Sequence, residues 1–361
     1  MSRLEMLRGL LEPCRIDALM LTSPVVRRYA TGLNTSAGVV VITRGGGFFL
    51  TDFRYIEEAR AKAHGYAVVM TSRENPQAAA VLEALGGARR AGFEADAMTC
   101  AELDRWREKL PKVTFVPAHE AVRSLRAVKD GTELAAMTRA QRIAESALRE
   151  LLGGVLRAGM TERQVCAEIV YRMLKNGADG LSFDPIVVSG PNSSKPHGEP
   201  SDRVIVNGDF VTMDFGCKYD GYCSDMTRTV AMGEATDEMR HVYDIVLRAQ
   251  TAGIAAARAG VPGKALDRAA REIIEAEGFG EFFGHGFGHG LGLEIHETPS
   301  ANQAGEEPLP SGAVVSAEPG IYLPGRFGVR IEDVIVITDG GCQNLTAAEK
   351  KLTIIGNGIY N

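Results

Sequence analysis

The sequence has few of the features that mark secreted, membrane-spanning or nucleic-acid-binding proteins. Its six cysteines are scattered and form no C-x-x-C pair, so neither a disulfide framework nor a zinc ribbon is expected. No apolar run approaches the roughly 20 residues of a membrane helix, and the N-terminus lacks the cleavage pattern of a secretory signal. The net charge of −6 argues against nucleic-acid and anionic-membrane partners. These absences favour a cytoplasmic protein with free thiols.

What the sequence does contain is the composition of an ordinary globular protein, with 45% hydrophobic and 24% charged residues. A chain of 361 residues is too long for one hydrophobic core, so two domains are expected. Strand and helix signals alternate over residues 1–126, which predicts an N-terminal α/β domain without evident chemistry. From residue 131 long helices are followed by strands, and residues 131–361 are predicted to form a second domain.

The segment Asn207–Arg228 predicts a β-hairpin with one carboxylate on each strand and an Asp-Gly turn at residues 220–221. Asp214 and Asp225 differ by 11 in number. Because facing residues of such a hairpin have opposite parity, both side chains lie on the same side, directly opposite or one step diagonal. Two carboxylates that close repel unless a cation or a proton lies between them. The alternative is two solvated aspartates on an exposed face, which the apolar neighbours disfavour.

A second copy of this pattern follows. Residues 207–216 resemble residues 311–320, and the alignment sets Asp214 against Glu318. The second copy continues to Glu332, which parallels the second aspartate of the hairpin. Two such ribbons related by pseudo-symmetry would bring four carboxylates together. Chance similarity between short strings is the alternative explanation.

Three of the seven histidines fall in the stretch GHGFGHGLGLEIHE, at His285, His289 and His296. The glycines match neither a dinucleotide-binding nor a phosphate-binding loop, and the spacing is not H-E-x-x-H. We expect these glycines to allow close approach of the backbone to a site. The alternative is a flexible loop with incidental histidines, which the buried-type residues between them disfavour.

Four carboxylates and one imidazole form an oxygen-rich ligand set. Such ligands suit Mn²⁺, Fe²⁺ or Co²⁺ better than a structural zinc ion. Two divalent ions bridged by carboxylates would balance the charge, as in two-metal hydrolases. Arg330 is two residues from Glu332 and is expected on the same strand face, where it would hold that carboxylate in place. A surface ion pair is the alternative for Arg330.

These residues carry a resemblance to the metallopeptidases with the "pita-bread" fold, which include methionine aminopeptidase, Xaa-Pro aminopeptidase and Xaa-Pro dipeptidase (prolidase). The motifs are PHGEPSDRVIVNGDFVTMDFG, GYCSDMTRT, GHGFGHGLGLEIHE, SAEPGIY and GVRIEDV. The resemblance implies an α/β (α+β) protein. Residues 1–126 would form a creatinase-like N-terminal domain, and residues 131–361 a pita-bread catalytic domain with a pseudo-two-fold repeat.

The resemblance also implies a role for each matching residue. The metal ligands would be Asp214, Asp225, His289, Glu318 and Glu332. Asp225 and Glu332 would bridge two divalent ions. Mn²⁺ is the first choice, with Co²⁺, Fe²⁺ or Zn²⁺ as alternatives. The nucleophile would be a metal-bridged hydroxide, and the first glutamate of the set would shuttle its proton.

The non-ligand histidines of the family fall on His197, His285 and His296. By resemblance, His296 would polarise the scissile carbonyl, and the other two would line the cleft around the proline and the leaving group. Phe183 and Tyr222 match positions near the substrate pocket.

The implied activity is removal of an N-terminal residue that precedes proline. Many prolidases carry an arginine shortly after the last His-Glu, where it grips the carboxylate of a dipeptide. Ser300 stands there in this chain, which favours an Xaa-Pro aminopeptidase acting on longer peptides over a prolidase. A dipeptidase could still recruit Arg326 or a residue of a dimer partner, and the family expectation is a homodimer.

The full set of five ligands bears on the other activities that occur on the same fold. Creatinase works without metal and lacks the full set of five ligands, so it is disfavoured. A metal-dependent lyase stays open. A non-catalytic binding module is disfavoured because such relatives lose ligands or gain basic extensions, and neither is found in this sequence.

Overall fold

The structure is a computed structural model that describes residues 1–356 and contains two compact units. The first unit is Met1–Arg126, and the second begins at Ala127. Among the described residues, no helix combines the length and the apolar character needed to cross a membrane. All six cysteines lie in the described range and are free thiols.

The first unit alternates helices and strands around one mixed sheet. Its elements in chain order are α1 (Arg3–Arg8), β1 (Ala18–Leu21), α2 (Pro24–Thr31), β2 (Val39–Thr43), β3 (Gly46–Thr51), α3 (Ile56–Lys62), β4 (Tyr66–Met70), α4 (Gln77–Leu85), β5 (Arg90–Phe93), α5 (Cys100–Lys109), β6 (Thr114–Pro117) and α6 (His119–Ala127). The strand order is β4-β3-β2-β1-β5-β6. Strands β1 and β2 are almost entirely buried, which is typical of a sheet covered on both faces. This is the α/β architecture that the sequence predicts.

The second unit consists of two helix pairs and their strands. Its elements in chain order are α7 (Gly131–Leu152), α8 (Glu162–Lys175), β7 (Gly180–Leu181), β8 (Ile186–Ser189), a 3₁₀ turn (Gly190–Ser194), β9 (Phe210–Phe215), β10 (Cys217–Tyr219), β11 (Tyr222–Cys223), β12 (Met226–Met232), α9 (Asp237–Ala256), α10 (Gly263–Ala276), a 3₁₀ turn (Gly280–Phe282), β13 (Gly288–Gly290), β14 (Glu297–Ala301), β15 (Val314–Ala317), β16 (Gly320–Leu323), β17 (Phe327–Arg330), β18 (Asp333–Thr338), β19 (Gly341–Asn344) and β20 (Ile354–Ile355). Thr161 caps α8 through a capping box with Gln164.

Each half of the second unit sets its helix pair against a sheet. In the first half, Leu151 of α7 and Val165 of α8 share a core with Met213 of the sheet β20-β12-β9-β8. In the second half, α9 and α10 share a core that includes Val315 and Ile335 of the sheet β14-β13-β15-β18-β19. The two apolar cores bury the inner face of each sheet and stabilise it. The order of two helices followed by a sheet repeats, as the internal sequence similarity predicts.

The hairpin of the first half has the predicted register. Asp214 faces Thr227 across β9 and β12, so Asp225, two residues earlier, lies one step diagonal on the same side. The turn residues Asp220 and Gly221 have φ angles of 45° and 75°, which is the type I′ geometry of a tight hairpin.

The corresponding ladder of the second half ends in the same way. Ala317 faces Asp333 as the final pair of β15 and β18. Glu318 and Glu332 directly adjoin that pair, so both carboxylates project from the end of the ladder. Each half therefore supplies two carboxylates from the end of one strand pair.

Candidate metal centre

Carboxylates from both halves of the second unit meet the imidazole of His289. One ligand atom each of Asp225, His289 and Glu332 lie within 4.8 Å of one another. His289 Nε2 is 3.6 Å from Asp225 Oδ2 and 3.3 Å from Glu318 Oε1. The fold thus brings together four of the five predicted ligands around a volume the size of a metal site.

The backbone fixes which nitrogen of His289 faces the carboxylates. Its Nδ1 lies 3.1 Å from the carbonyl oxygen of Gly290, and a carbonyl can only accept, so Nδ1 carries the proton. Burial lowers the pKa of His289, which keeps the ring neutral and leaves the Nε2 lone pair facing the cluster. Close backbone packing sets this position, because a Cβ on Gly288 would lie 2.0 Å from the Ser316 carbonyl oxygen. The glycines act as the sequence predicts.

Three carboxylate oxygens of the predicted ligands are buried without a hydrogen-bond partner in the described part of the chain: Asp214 Oδ1, Asp225 Oδ1 and Glu332 Oε1. Unpartnered buried oxygens are costly in proteins and are rarely retained without a role. Burial, reinforced by the neighbouring carboxylates, raises the pKa of Asp225 and of Glu332 well above the usual range.

Burial also raises the pKa of Glu318, to about 7. Carboxylates crowded in this way need protons or cations between them. The donor set of carboxylate oxygens and one neutral imidazole nitrogen fits divalent cations of the Mn²⁺ type.

Arg330 donates a hydrogen bond to a carboxylate of the predicted ligand set, but that carboxylate is Asp214 and not the predicted Glu332. Its Nη2 donates to Asp214 Oδ2 at 2.6 Å, whereas Glu332 Oε2 accepts from the hydroxyl of Thr227 at 2.7 Å. That hydroxyl in turn accepts from Arg330 Nε at 3.1 Å. The expectation of one shared strand face fails because β17 ends at Arg330 and Glu332 lies before β18.

His285 lies beside the cluster with both ring nitrogens engaged. Its Nδ1 is 2.9 Å from the Gly286 carbonyl oxygen, and its Nε2 is 2.9 Å from the hydroxyl of Tyr322. Because the Gly286 carbonyl can only accept, Nδ1 carries the proton of the neutral ring and the Tyr322 hydroxyl donates to Nε2, while the same hydroxyl accepts from Arg330 Nη1 at 2.8 Å. Burial and the charge of Arg330 lower the pKa of His285 to about 4. His285 is therefore a neutral acceptor that is fixed in place.

The cluster forms the floor of a cavity of about 960 Å³. The predicted residues that line it are Phe183, His197, Asp214, Asp225, His285, His289, His296, Glu318, Arg330 and Glu332. The rings of His289 and His296 are 4.3 Å apart between centroids, which places His296 directly beside the ligand set. Within the described residues, Tyr222 is not part of this lining. Its hydroxyl donates to Glu133 Oε1 of α7 at 2.9 Å, so the prediction of a pocket role for Tyr222 is not supported.

The sequence reasoning missed several residues that support the site. Tyr322 ends the motif SAEPGIY and Thr227 follows the second aspartate in GYCSDMTRT, but neither was assigned a role because hydroxyls carry no spacing signal. Glu162 was missed as well. Its buried carboxylate accepts hydrogen bonds from the backbone N–H groups of Ser189 at 2.7 Å and Ser201 at 3.0 Å. These two residues flank the loop that carries His197 into the cavity.

Comparison with known proteins matches both units of the chain. Residues 135–339 match the model of metallopeptidase family M24, and residues 3–128 match that of the creatinase/prolidase N-terminal domain. The Xaa-Pro dipeptidase of Pyrococcus furiosus is 35% identical and is aligned over 97% of this chain and 99% of its own.

Two solved structures extend this similarity. An Xaa-Pro dipeptidase from Bacillus anthracis has 40% identity and a TM-score of 0.93, covering 98% of this chain and 99% of its own. An X-Pro aminopeptidase from Thermotoga maritima has 35% identity and a TM-score of 0.92, covering 98% and 100%. Proteins named for either activity thus share nearly the full length of this chain.

Proposed function

The chain belongs to metallopeptidase family M24, with a creatinase/prolidase N-terminal domain, and on this premise we propose that it is an Xaa-Pro dipeptidase. It would hydrolyse the peptide bond between an N-terminal residue and a C-terminal proline. The observation that carries the proposal is the group of unpartnered carboxylate oxygens around His289 Nε2 at the floor of an open cavity.

The proposed metal ligands are Asp214, Asp225, His289, Glu318 and Glu332. Two divalent ions held there would supply Lewis-acid polarisation of the substrate carbonyl and activation of water. We propose Mn²⁺ as the first candidate because oxygen ligands predominate.

The protein groups around the ligands would handle protons and orientation. Burial raises the pKa of Glu318 to about 7, so its carboxyl is suited to accept a proton and pass it to the leaving proline nitrogen. His296 lines the cavity beside His289 and would donate a hydrogen bond to the oxygen of the scissile carbonyl. His197, on the loop between Ser189 and Ser201, would pack against the proline ring.

A second candidate is an Xaa-Pro aminopeptidase acting on longer peptides. Ser300 favours it, because the arginine that many prolidases use to bind a dipeptide carboxylate is replaced there. Arg326, the other cation that could bind this carboxylate, pairs with Glu238 and is not among the residues that line the cavity. The relatives named dipeptidases support the first candidate, and the X-Pro aminopeptidase relative supports the second.

Release of the N-terminal residue from an Xaa-Pro dipeptide and from an Xaa-Pro-Xaa tripeptide tests the proposal. The protein is stripped of metal and then restored with Mn²⁺. Metal-dependent cleavage with preference for the dipeptide supports the dipeptidase, and preference for the tripeptide supports the aminopeptidase. If neither peptide is cleaved while metal binds, the proline-peptidase assignment fails and a lyase or another hydrolase takes its place.

Assembly and location are also proposals. We expect a homodimer from the family resemblance, and sedimentation equilibrium checks it. A cytoplasmic location is supported by the six free thiols, since disulfides persist in oxidising compartments.

A further inference from the structure

We propose that a recess beyond His285, with Arg271 in its wall, binds the C-terminal carboxylate of the substrate. The inference rests on the proposed dipeptidase function and identifies the cation that would recognise the prolyl carboxylate. The recess has a volume of about 360 Å³, and its lining includes Arg271, Phe283, Asn302 and Gln303.

The recess adjoins the main cavity on the side where the proline is expected. His285, Gly286 and Asn302 line both cavities. Gly286 and Asn302 lie at the rim between them and pack closely, because a Cβ on Gly286 would lie 2.5 Å from Asn302 Cβ. A substrate whose scissile bond lies over the ligand cluster would direct its C-terminal end past His285 to this rim.

Arg271 is held rigidly in a position to donate to a ligand. Asp267, which is 1% exposed, accepts from its Nε at 2.8 Å and from its Nη2 at 3.1 Å. The carbonyl oxygens of Phe283 and His285 accept from Nη1 and Nη2 at 2.8 and 2.7 Å. The guanidinium also stacks over the Phe283 ring, 4.1 Å from its centroid.

These contacts use four of the five N–H groups of the guanidinium. The remaining Nη1 hydrogen has no partner among the described residues and belongs to a side chain that lines the recess. Because the guanidinium is already immobilised, the site loses little conformational freedom when a carboxylate accepts this hydrogen. The amides of Asn302 and Gln303 supply further donors to the same anion.

The other cations near the cavity are less suited to this role. The position at which many prolidases carry an arginine holds Ser300, which has no charge, is exposed and lines neither cavity. Arg330 donates to Asp214, a proposed metal ligand, and to the hydroxyl of Tyr322, so its charge serves the ligand cluster. Arg163 lines the main cavity, but it pairs with Asp202 and its side chain is 66% exposed, so water screens its charge.

The test compares an Xaa-Pro dipeptide with its C-terminal amide, in the wild type and in Arg271→Met, with Mn²⁺ present. A charged hydrogen bond to the carboxylate predicts a KM for the acid about tenfold below that for the amide in the wild type. Arg271→Met is expected to raise the KM of the acid about tenfold and to leave the KM of the amide unchanged. Arg268→Met, on the same helix with an 80% exposed side chain paired with Glu272, is the matched control and should preserve the difference.

Several results overturn the inference. If Arg271→Met impairs the acid and the amide equally, Arg271 only supports the backbone at Phe283 and His285. If Arg163→Gln abolishes the difference instead, the carboxylate binds beside Arg163 in the main cavity and not in the recess. If the wild type does not distinguish acid from amide, or prefers the tripeptide, the recess is not a carboxylate subsite, whereas the proposed family activity stands. Cleavage of none of these substrates refutes the proposed function itself.

A second measurement needs no variant. Product inhibition of the wild type by L-proline should be about tenfold stronger than inhibition by L-prolinamide, since only proline carries the carboxylate. Equal inhibition constants contradict the inference even if Arg271→Met does not fold.

Discussion

Arg330 Nη2 donates a hydrogen bond to Asp214 Oδ2 across 2.6 Å and so connects β17 in the second half of the unit to β9 in the first half. Both side chains are largely shielded from water, at 4% and 13% exposed. A charged pair in such surroundings fixes the direction of the carboxylate more strongly than a surface pair would. The metal ligand and its cationic partner therefore come from different halves of the second unit.

Arg330→Met should lower metal affinity and activity together. Without the guanidinium, Asp214 loses its orienting partner, and loss of such a partner typically costs about 10–100-fold in metal affinity. Mn²⁺ titration by calorimetry measures the effect. Arg326→Met, which removes an exposed pair with Glu238, is the control and should bind as the wild type does. Unchanged Mn²⁺ affinity in Arg330→Met would show that the pair does not orient the ligand.

Asp225→Asn should lose metal and activity while the fold persists. The amide keeps the size of the side chain but replaces one unpartnered oxygen with a group that cannot ligate. We expect reduced metal stoichiometry and a fall in turnover of at least about 100-fold, measured by metal analysis and peptide hydrolysis. Asp220→Asn at the turn of the same hairpin is the matched control. Full turnover in Asp225→Asn would refute its assignment as a bridging ligand.

His296→Ala should separate turnover from metal binding. The ring lies beside His289, with 4.3 Å between centroids, but it is not part of the group of ligand atoms within 4.8 Å. If it stabilises the developing oxyanion, its removal lowers kcat about 10²–10³-fold with little change in metal content. His289→Ala is the comparison and should lose metal. A parallel loss of metal and kcat in His296→Ala would reassign it as a ligand.

The pairing of carboxylates was predictable from sequence because strand geometry is periodic. The parity of Asp214 and Asp225 determined their common side once the turn was located, since side chains alternate along a strand. The same rule failed for Arg330 and Glu332 because the chain leaves the strand between them. Strand breaks depend on packing between sheets, which no local pattern records. The expectation for Tyr222 comes from the family resemblance and not from strand periodicity, and its hydroxyl donates to Glu133 instead of facing the cavity.

Glu162→Gln should reduce activity through the loop that carries His197. The carboxylate is fully buried and accepts from Ser189 at one end of the loop and from Ser201 at the other. An amide would turn a donor toward these donors, which costs about 1–3 kcal/mol. We expect kcat/KM to fall about tenfold at unchanged metal content.

The control for this position is Glu168→Gln on the same helix, whose side chain is 40% exposed and pairs with Arg172. It should leave kcat/KM unchanged. If Glu162 has a purely structural role, Glu162→Gln lowers the melting temperature without changing kcat/KM of the folded enzyme. This result would contradict the proposal that Glu162 positions His197.

Metal should stabilise the protein more as the pH rises. In the metal-free protein, burial and mutual repulsion raise the pKa of Asp225 and Glu332, and burial raises that of Glu318 to about 7. A raised pKa means that the folded state binds protons more tightly than the unfolded state, so this contribution to stability is present at low pH and is lost as the pH rises through the folded pKa. Divalent cations replace those protons, which makes their affinity increase over the same range. The melting temperature of metal-stripped protein should therefore fall between about pH 5 and pH 7, and the gap to Mn²⁺-loaded protein should widen over the same range. A gap of equal size at both pH values would mean that the carboxylates are already ionised without metal, and that the crowding of the cluster is relieved in some other way.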